Sequence, residues 1–182
     1  VTWIEVVEGP RKIAGTFIEK GQGAPKDTPK VFVDDGAFAW TTRLATAPGR
    51  GSFLVWGSQS SDVFDMNVHG LFISPTGETS AWNGATKIQN DTRASTPIFV
   101  GAFDARAPVV AYAEDKANFF AVWEDNRAGN YDLRGTWIGT NDGMVRDPNG
   151  VEVAALPTAE INPAIAMSKD GNGLVVYQEF VS

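Results

Sequence analysis

The stretch FFAVWEDNRAGNYDLRG, residues 119–135, contains the two signatures that decide the fold. It opens with an apolar strand pattern that ends on the aromatic residue Trp123, and it closes on Gly135, the first residue of a Gly-x-aromatic-Ile pattern. The two patterns recur in the chain, the first with its aromatic residue at Trp3, Trp56 and Tyr177, the second at Gly15 and Gly70. The four aromatic positions are 53, 67 and 54 residues apart. Self-similarity at a period of a few tens of residues indicates a repeat architecture.

The repeat unit is predicted to contain four strands. In the aromatic strand both alternating faces are apolar, which indicates burial on both sides. A strand of small and aliphatic residues precedes it, and a third strand and a weaker fourth strand follow it. Four strands in a unit of about 54 residues, with inner strands buried on both faces, is what a β-propeller blade requires. We therefore predict an all-β chain of propeller blades, with a sandwich or a β-solenoid as the alternatives.

One repeat domain is predicted, with units at residues 1–41, 42–107, 108–162 and, in part, 163–182. The longer second unit carries an insertion, which we place at residues 80–93. Pro108 and Pro163 are expected at the first residue of a strand, where no ladder hydrogen bond is lost.

The predicted ring is incomplete. The chain holds about three and a third blades, whereas closed propellers have about four to eight. Open strand edges at Trp3 and Tyr177 are an aggregation hazard unless other strands cover them. We expect a second copy of the chain or a partner chain to complete the ring, or the chain to be one portion of a longer propeller.

Composition limits the classes of function. The chain has 182 residues, 43% of them apolar, which is enough to form a core. Its net charge of −7 and its scattered lysines and arginines argue against binding of nucleic acid. It has no cysteine, which excludes a disulfide framework and thiol chemistry. No apolar run approaches the roughly 20 residues of a membrane span.

The third unit resembles repeats of bacterial secreted and cell-surface proteins. Those repeats read Pro-x-Val-Ala, then Leu-Val-Val-Trp-x-Asp-x-Arg, then Asp-Ile-x-Gly, and this chain has PVVA at residues 108–111, WEDNR at 123–127 and DLRG at 132–135. The second unit departs from the pattern, with WGSQS at residues 56–60. The resemblance implies a β-propeller and an extracellular or cell-surface location. It implies no single activity, because propellers host many functions.

The insertion holds the candidate ligand-binding residues. Trp82 stands apart from the repeat pattern among polar residues, and an exposed indole beside amides and a carboxylate is typical of a sugar-binding surface. The alternative is that the insertion folds over its own tryptophan. The candidate ligand is a glycan or a protein partner, and the candidate residues are Trp82, Asn83, Asn90, Asp91 and Arg93. Trp40, by contrast, is predicted to belong to the core.

A second candidate site follows the aromatic strand of the third unit. Glu124 and Asp125 are clustered carboxylates that fit a calcium site or an acid/base pair. The structural alternative, which we favour, is that Asp125 pairs with Arg127 and orders the loop, because no Asp-x-Asp-x-Asp-Gly ligand series is present. The matching loop of the second unit contains Asp62, Asp65 and Asn67, which we interpret as solvated. The single histidine, His69, has no nucleophile motif beside it, and we predict that it is either packed or a rim residue.

These features together predict a binding or scaffolding module without catalysis by this chain. The alternative is part of a propeller glycoside hydrolase or a sialidase-like enzyme, for which Asp34, Glu124 and Asp125 are the first candidates. A third interpretation is a purely structural assembly module.

Overall fold

The computed structural model describes residues 2–5, 11–18, 21, 25, 27–59 and 66–180, without the side chains of residues 2–5. Within these residues the backbone forms fifteen β-strands and no helix. The prediction of an all-β chain is confirmed.

The strands form four antiparallel sheets that follow one another along the chain. The first sheet contains β1 (Thr2–Glu5), β2 (Lys12–Gly15) and β3 (Lys30–Val33). The second contains β4 (Phe38–Ala47), β5 (Gly51–Gln59), β6 (Met66–Ile73), β7 (Thr79–Asn83), β8 (Thr86–Gln89) and β9 (Thr96–Phe99). The third contains β10 (Ala105–Ala113), β11 (Asn118–Asp125), β12 (Asp132–Gly139) and β13 (Val151–Ala154), and the fourth contains β14 (Glu160–Met167) and β15 (Gly173–Glu179).

The second sheet contains an additional hairpin. One end of β6 pairs with β7, and its other end pairs with β9. The β7–β8 hairpin therefore lies between the third and fourth strands of the repeat, where the predicted insertion at residues 80–93 falls.

The sheets pack against one another in chain order. Strand β4 contacts β1 and β2, strand β10 contacts β4, β5 and β6, and strand β14 contacts β10, β11 and β12. A core cluster of apolar side chains lies at each of the three junctions. The first contains Ile13, Leu54 and Trp56, and the second contains Phe53, Phe99, Phe119 and Trp123. The third contains Val109, Val122 and Leu133, against which Ile165 and Val175 pack. Burial of apolar surface between consecutive sheets is thus what holds the chain together.

The packing of one aromatic ring explains why the two sequence signatures are linked. A Cβ atom on Gly70 would lie 2.5 Å from Cζ of Phe53, and one on Gly135 would lie 2.8 Å from Cζ of Phe120. Each ring belongs to the aromatic strand and crosses the backbone of the next strand, where only glycine leaves room. The register repeats as well, because Gly15, Gly70 and Gly135 each pair with the residue just before the aromatic position.

The first strand of each repeat contains a β-bulge at one position. Thr41, Ala107 and Asn162 all have positive φ, at 41°, 47° and 55°, and the pairing register shifts around each of them. Pro108 and Pro163 directly follow two of these residues, inside β10 and β14. The prediction that these prolines begin their strands is wrong. They are tolerated because the bulge removes them from the hydrogen-bond ladder.

The fourth sheet leaves apolar side chains exposed. Tyr177 in β15 is 39% exposed, although it occupies the repeat position of Trp56 and Trp123, which are fully buried. Leu174 and Val176 in the same strand are also exposed. Among the described residues, β15 pairs only with β14, so its second edge has no partner there.

Candidate functional site

The Trp-x-Asp-x-Arg motif of the third unit forms a closed hydrogen-bond network. Asp125 is 0% exposed and accepts hydrogen bonds from Nε1 of Trp123 at 3.2 Å and from Arg127 through N at 3.1 Å, Nε at 2.7 Å and Nη2 at 2.6 Å. The guanidinium of Arg127 lies 4.7 Å from the ring centre of Phe99, in the preceding sheet. The structural interpretation, in which Asp125 pairs with Arg127, is confirmed.

The ionised form of Asp125 is favoured. Burial alone raises the pKa of this carboxyl, but the hydrogen bonds and charge of Arg127, with the hydrogen bond from Trp123, outweigh burial and place the pKa below its ordinary value. A carboxylate held in this way suits a structural ion pair. A general acid needs a raised pKa instead.

Glu124 connects the third sheet to the fourth. Its side chain is 2% exposed, its Oε2 accepts a 2.7 Å hydrogen bond from Nε of Arg106, and its Oε1 accepts one of 2.7 Å from the backbone N–H of Asn162. The Arg106 guanidinium also lies 3.8 Å from the ring centre of Tyr131. Glu124 therefore holds the bulge of β14 against the end of β11.

The predicted calcium site stays a prediction, and calcium binding there would require existing ion pairs to be broken. Both carboxylates are already ion-paired, at 2.7 Å between Glu124 and Arg106 and 2.6 Å between Asp125 and Arg127. A calcium ion at these residues would have to displace both arginines. No cluster of three or more acidic or histidine residues suited to a metal ion occurs within the described parts of the chain.

Trp82 is buried, at 5% exposure. Its ring meets Phe72 edge-on at 6.4 Å, and Gly143, in the turn after β12, lies so close that a Cβ atom there would clash with the indole. The prediction of an exposed indole is therefore wrong, because the inserted hairpin packs its tryptophan against the turn after β12. No face of this ring is open for stacking on a sugar.

The other residues of the insertion stabilise its turns. Asn90 has φ of 53° and accepts a hydrogen bond from the backbone N–H of Thr79 at 3.0 Å. Asp91 accepts one from the backbone N–H of Arg93 at 2.9 Å. Asn83 is exposed at the end of β7. A ligand role for these four residues of the insertion stays a prediction.

A cleft of about 370 Å³ lies where the first strands of three consecutive sheets meet. It is lined by the three bulge residues Thr41, Ala107 and Asn162, together with Trp40, Gln59, Met66, Arg106, Glu124 and Ile161. A smaller cleft of about 190 Å³ shares the same three bulge residues and adds Arg43. Trp40 is 38% exposed here, so the prediction that it belongs to the core is wrong.

The cleft was not predicted from the sequence. The bulge residues are threonine, alanine and asparagine, which share no side-chain chemistry. The one usable signal was the proline that follows Ala107 and Asn162, because an internal proline marks a bulge or an edge in a strand. The second unit lacks that signal, since Thr42 follows Thr41.

The remaining candidates lie apart from the cleft or outside the described residues. His69 stacks on Trp56 at 5.9 Å and shares a 2.9 Å hydrogen bond between its Nδ1 and Oγ of Ser95, and burial lowers its pKa despite the charge of Asp35. The prediction that His69 is packed, the first of the two alternatives, is confirmed. Asp34 pairs with Lys12 at 3.0 Å, and Asn67 accepts a hydrogen bond from the backbone N–H of Gly101. Asp62 and Asp65 lie outside the described residues.

Two further observations bear on function. In the part of the chain that the structure describes, no helix has the length and apolar character needed to cross a membrane. Comparison with protein-family models, with curated proteins and with solved structures finds no match to this chain.

Proposed function

We propose that the chain is an arc of a β-propeller and that it serves as an extracellular or cell-surface module for binding or scaffolding. The sheets follow one another in chain order, and each packs mainly against the sheets next to it in sequence. The aromatic strands β5 and β11 are buried on both faces, as inner strands of propeller blades are.

One observation carries the proposal: bulges from three consecutive sheets line a single cleft. Thr41, Ala107 and Asn162 are equivalent in the repeat, yet they lie 121 residues apart from first to last in sequence and meet around the same space. In a β-propeller the blades surround a central channel. A cleft lined by the first strands of three consecutive sheets supports that arrangement.

The exposed apolar side chains of β15 support the proposal of an interface at this strand. Val176 and Tyr177 occupy positions that are buried in the complete repeats, Leu174 beside them is also exposed, and an unpaired apolar strand edge promotes association. We propose that strands from a second copy or from a partner chain pair with β15.

Binding fits the chemistry of the cleft better than catalysis does. Glu124, the acidic residue of its lining, makes hydrogen bonds through both oxygens, and Asp125 has a lowered pKa. Asp34, the third candidate of the glycosidase interpretation, is ion-paired with Lys12. No described carboxylate among these three is arranged as a free acid facing a free base.

The test is the mass of the native particle by light scattering, combined with intact mass spectrometry. We expect a particle of two or more chains, and we expect Val176→Lys in β15 to dissociate it because a charge cannot be buried in a strand interface without cost. Val100→Lys is the matched control, since Val100 is equally an exposed valine but lies after β9. A wild-type particle with the mass of a single chain across the whole concentration range contradicts the proposed ring completion.

A further inference from the structure

We infer that the cleft between the three bulges binds an acidic saccharide, with the sugar ring on Trp40 and its carboxylate on Arg106. This inference rests on the proposed binding function and adds the class of ligand.

The charge around the cleft favours an anion. The chain as a whole has a net charge of −7, yet the two adjoining clefts are lined by Arg106 and Arg43. A third arginine, Arg11, covers one face of Trp40, with its guanidinium 3.7 Å from the ring centre, so a sugar ring would stack on the opposite face of the indole. The acidic side chain of the lining, Glu124, is 2% exposed and offsets the charge of Arg106, with which it is ion-paired, so the excess positive charge around the two clefts comes from Arg43 and Arg11. Positive charge within a low-dielectric cleft concentrates anionic ligands.

Arg106 is oriented before any ligand arrives. Its Nε donates to Glu124 at 2.7 Å, and its guanidinium carbon lies 3.8 Å from the ring centre of Tyr131. Within the described residues its two terminal nitrogens make no hydrogen bond. A guanidinium fixed through Nε and an aromatic ring can present its two terminal donors to a carboxylate.

The apolar part of the lining fits a sugar ring. Trp40 is the half-exposed aromatic residue of the cleft, and Met66 and Ile161 lie beside it. An indole offers a flat apolar surface to the C–H face of a sugar, and a few polar groups then fix its orientation.

Two polar side chains remain for the sugar hydroxyls. Asn162 donates from Nδ2 to Gln178 at 2.8 Å, and its Oδ1 accepts no hydrogen bond from another described residue. Thr41 contributes a hydroxyl. The volume of about 370 Å³ is near the lower end of the range for small-molecule sites, about 300–1,000 Å³, so the site fits the end of a short saccharide.

The experiment compares a 1,4-linked digalacturonate with the neutral digalactose of the same linkage, by isothermal titration calorimetry at low salt. We expect the acid to bind at least about tenfold more tightly than the neutral sugar. Trp40→Ala and Arg43→Gln should each weaken binding of the acid several-fold, and Arg106→Lys should do so while keeping the charge. The matched control is Arg146→Gln, because Arg146 pairs with Asp142 on the loop after β12 and does not line either cleft. Thermal melts of every variant check that it is folded.

The outcomes separate this inference from the proposed function. Equal affinity for the acidic and the neutral sugar, absence of binding by the folded wild type, or full binding by Trp40→Ala and Arg106→Lys overturns the inference. None of these results changes the particle mass, on which the proposed ring completion depends. Conversely, the native particle could have the mass of a single chain, bind the acidic sugar and lose that binding with Trp40→Ala. This result would support the inferred ligand and contradict the proposed ring completion.

Discussion

Replacement of Asp125 by alanine should cost about 4 kcal/mol of the free energy of unfolding. Loss of one partner from a buried ion pair costs about 3–5 kcal/mol, and a buried donor left without an acceptor costs about 1–3 kcal/mol. Both penalties apply here, because Trp123 is 0% exposed and Arg127 loses its carboxylate. Arg127 is 21% exposed at its side chain, so water solvates the guanidinium in part and the lower end of the range applies.

The assay is urea denaturation at pH 7, followed by tryptophan fluorescence and circular dichroism, with linear extrapolation to water. Asp125→Asn keeps one oxygen for the indole N–H and should cost about 2 kcal/mol. Asp142→Ala is the control, because its pair with Arg146 is also a carboxylate–guanidinium contact but is exposed, and exposed pairs contribute about 0–1 kcal/mol.

Equal losses for Asp125→Ala and Asp142→Ala would refute the reasoning. They would mean that the Trp-x-Asp-x-Arg motif contributes no more to stability than a surface ion pair does.

Three further predictions use the same denaturation assay. The difference in free energy of unfolding between wild type and Asp125→Asn should have its full value above pH 3.8, the ordinary carboxyl pKa. It should decrease as the pH falls through the lower pKa of Asp125 in the folded state, because protonation then removes the same ion pair. A difference that stays constant from pH 6 to pH 3 contradicts this. Gly70→Ala should cost about 1–3 kcal/mol of the free energy of unfolding, because the new Cβ meets the ring of Phe53. In the double variant, Phe53→Leu should recover part of that loss. Strict additivity of the two losses would argue against the contact. Trp123→Phe should cost about 1 kcal/mol more than Trp56→Phe, because Nε1 of Trp123 bonds to Asp125 while Nε1 of Trp56 has no hydrogen-bond partner among the described residues. A larger loss for Trp56→Phe is the contrary result.

The elements that were predictable from the sequence are those that local pattern controls. The paired strands around Trp56 and Trp123 have apolar residues on both faces, and burial on both faces is what the structure has. The glycines at Gly70 and Gly135 were recognisable as a signature, and the ring that crosses each of them supplies the physical reason.

The elements that were missed depend on contacts between distant residues. The predicted environments of Trp82 and Trp40 are both wrong. The burial of Trp82 depends on Gly143, in the turn after β12 and far away in sequence. The cleft escaped detection because a positive φ at Thr41 and Ala107 follows from the way β4 and β10 bend, and neither residue type signals such a conformation.

The stacking of sheets in chain order has a consequence for synthesis on the ribosome. Each sheet is built from strands that are close in sequence, so one sheet can form while the next is still being translated. The core junctions then close one after another, from Leu54 and Trp56 to Val109 and Val122, each on a surface that the previous sheet has already prepared. Folding in this direction would leave about one sheet face of apolar surface exposed at any moment. In the described chain, that exposed face belongs to the sheet that contains β15.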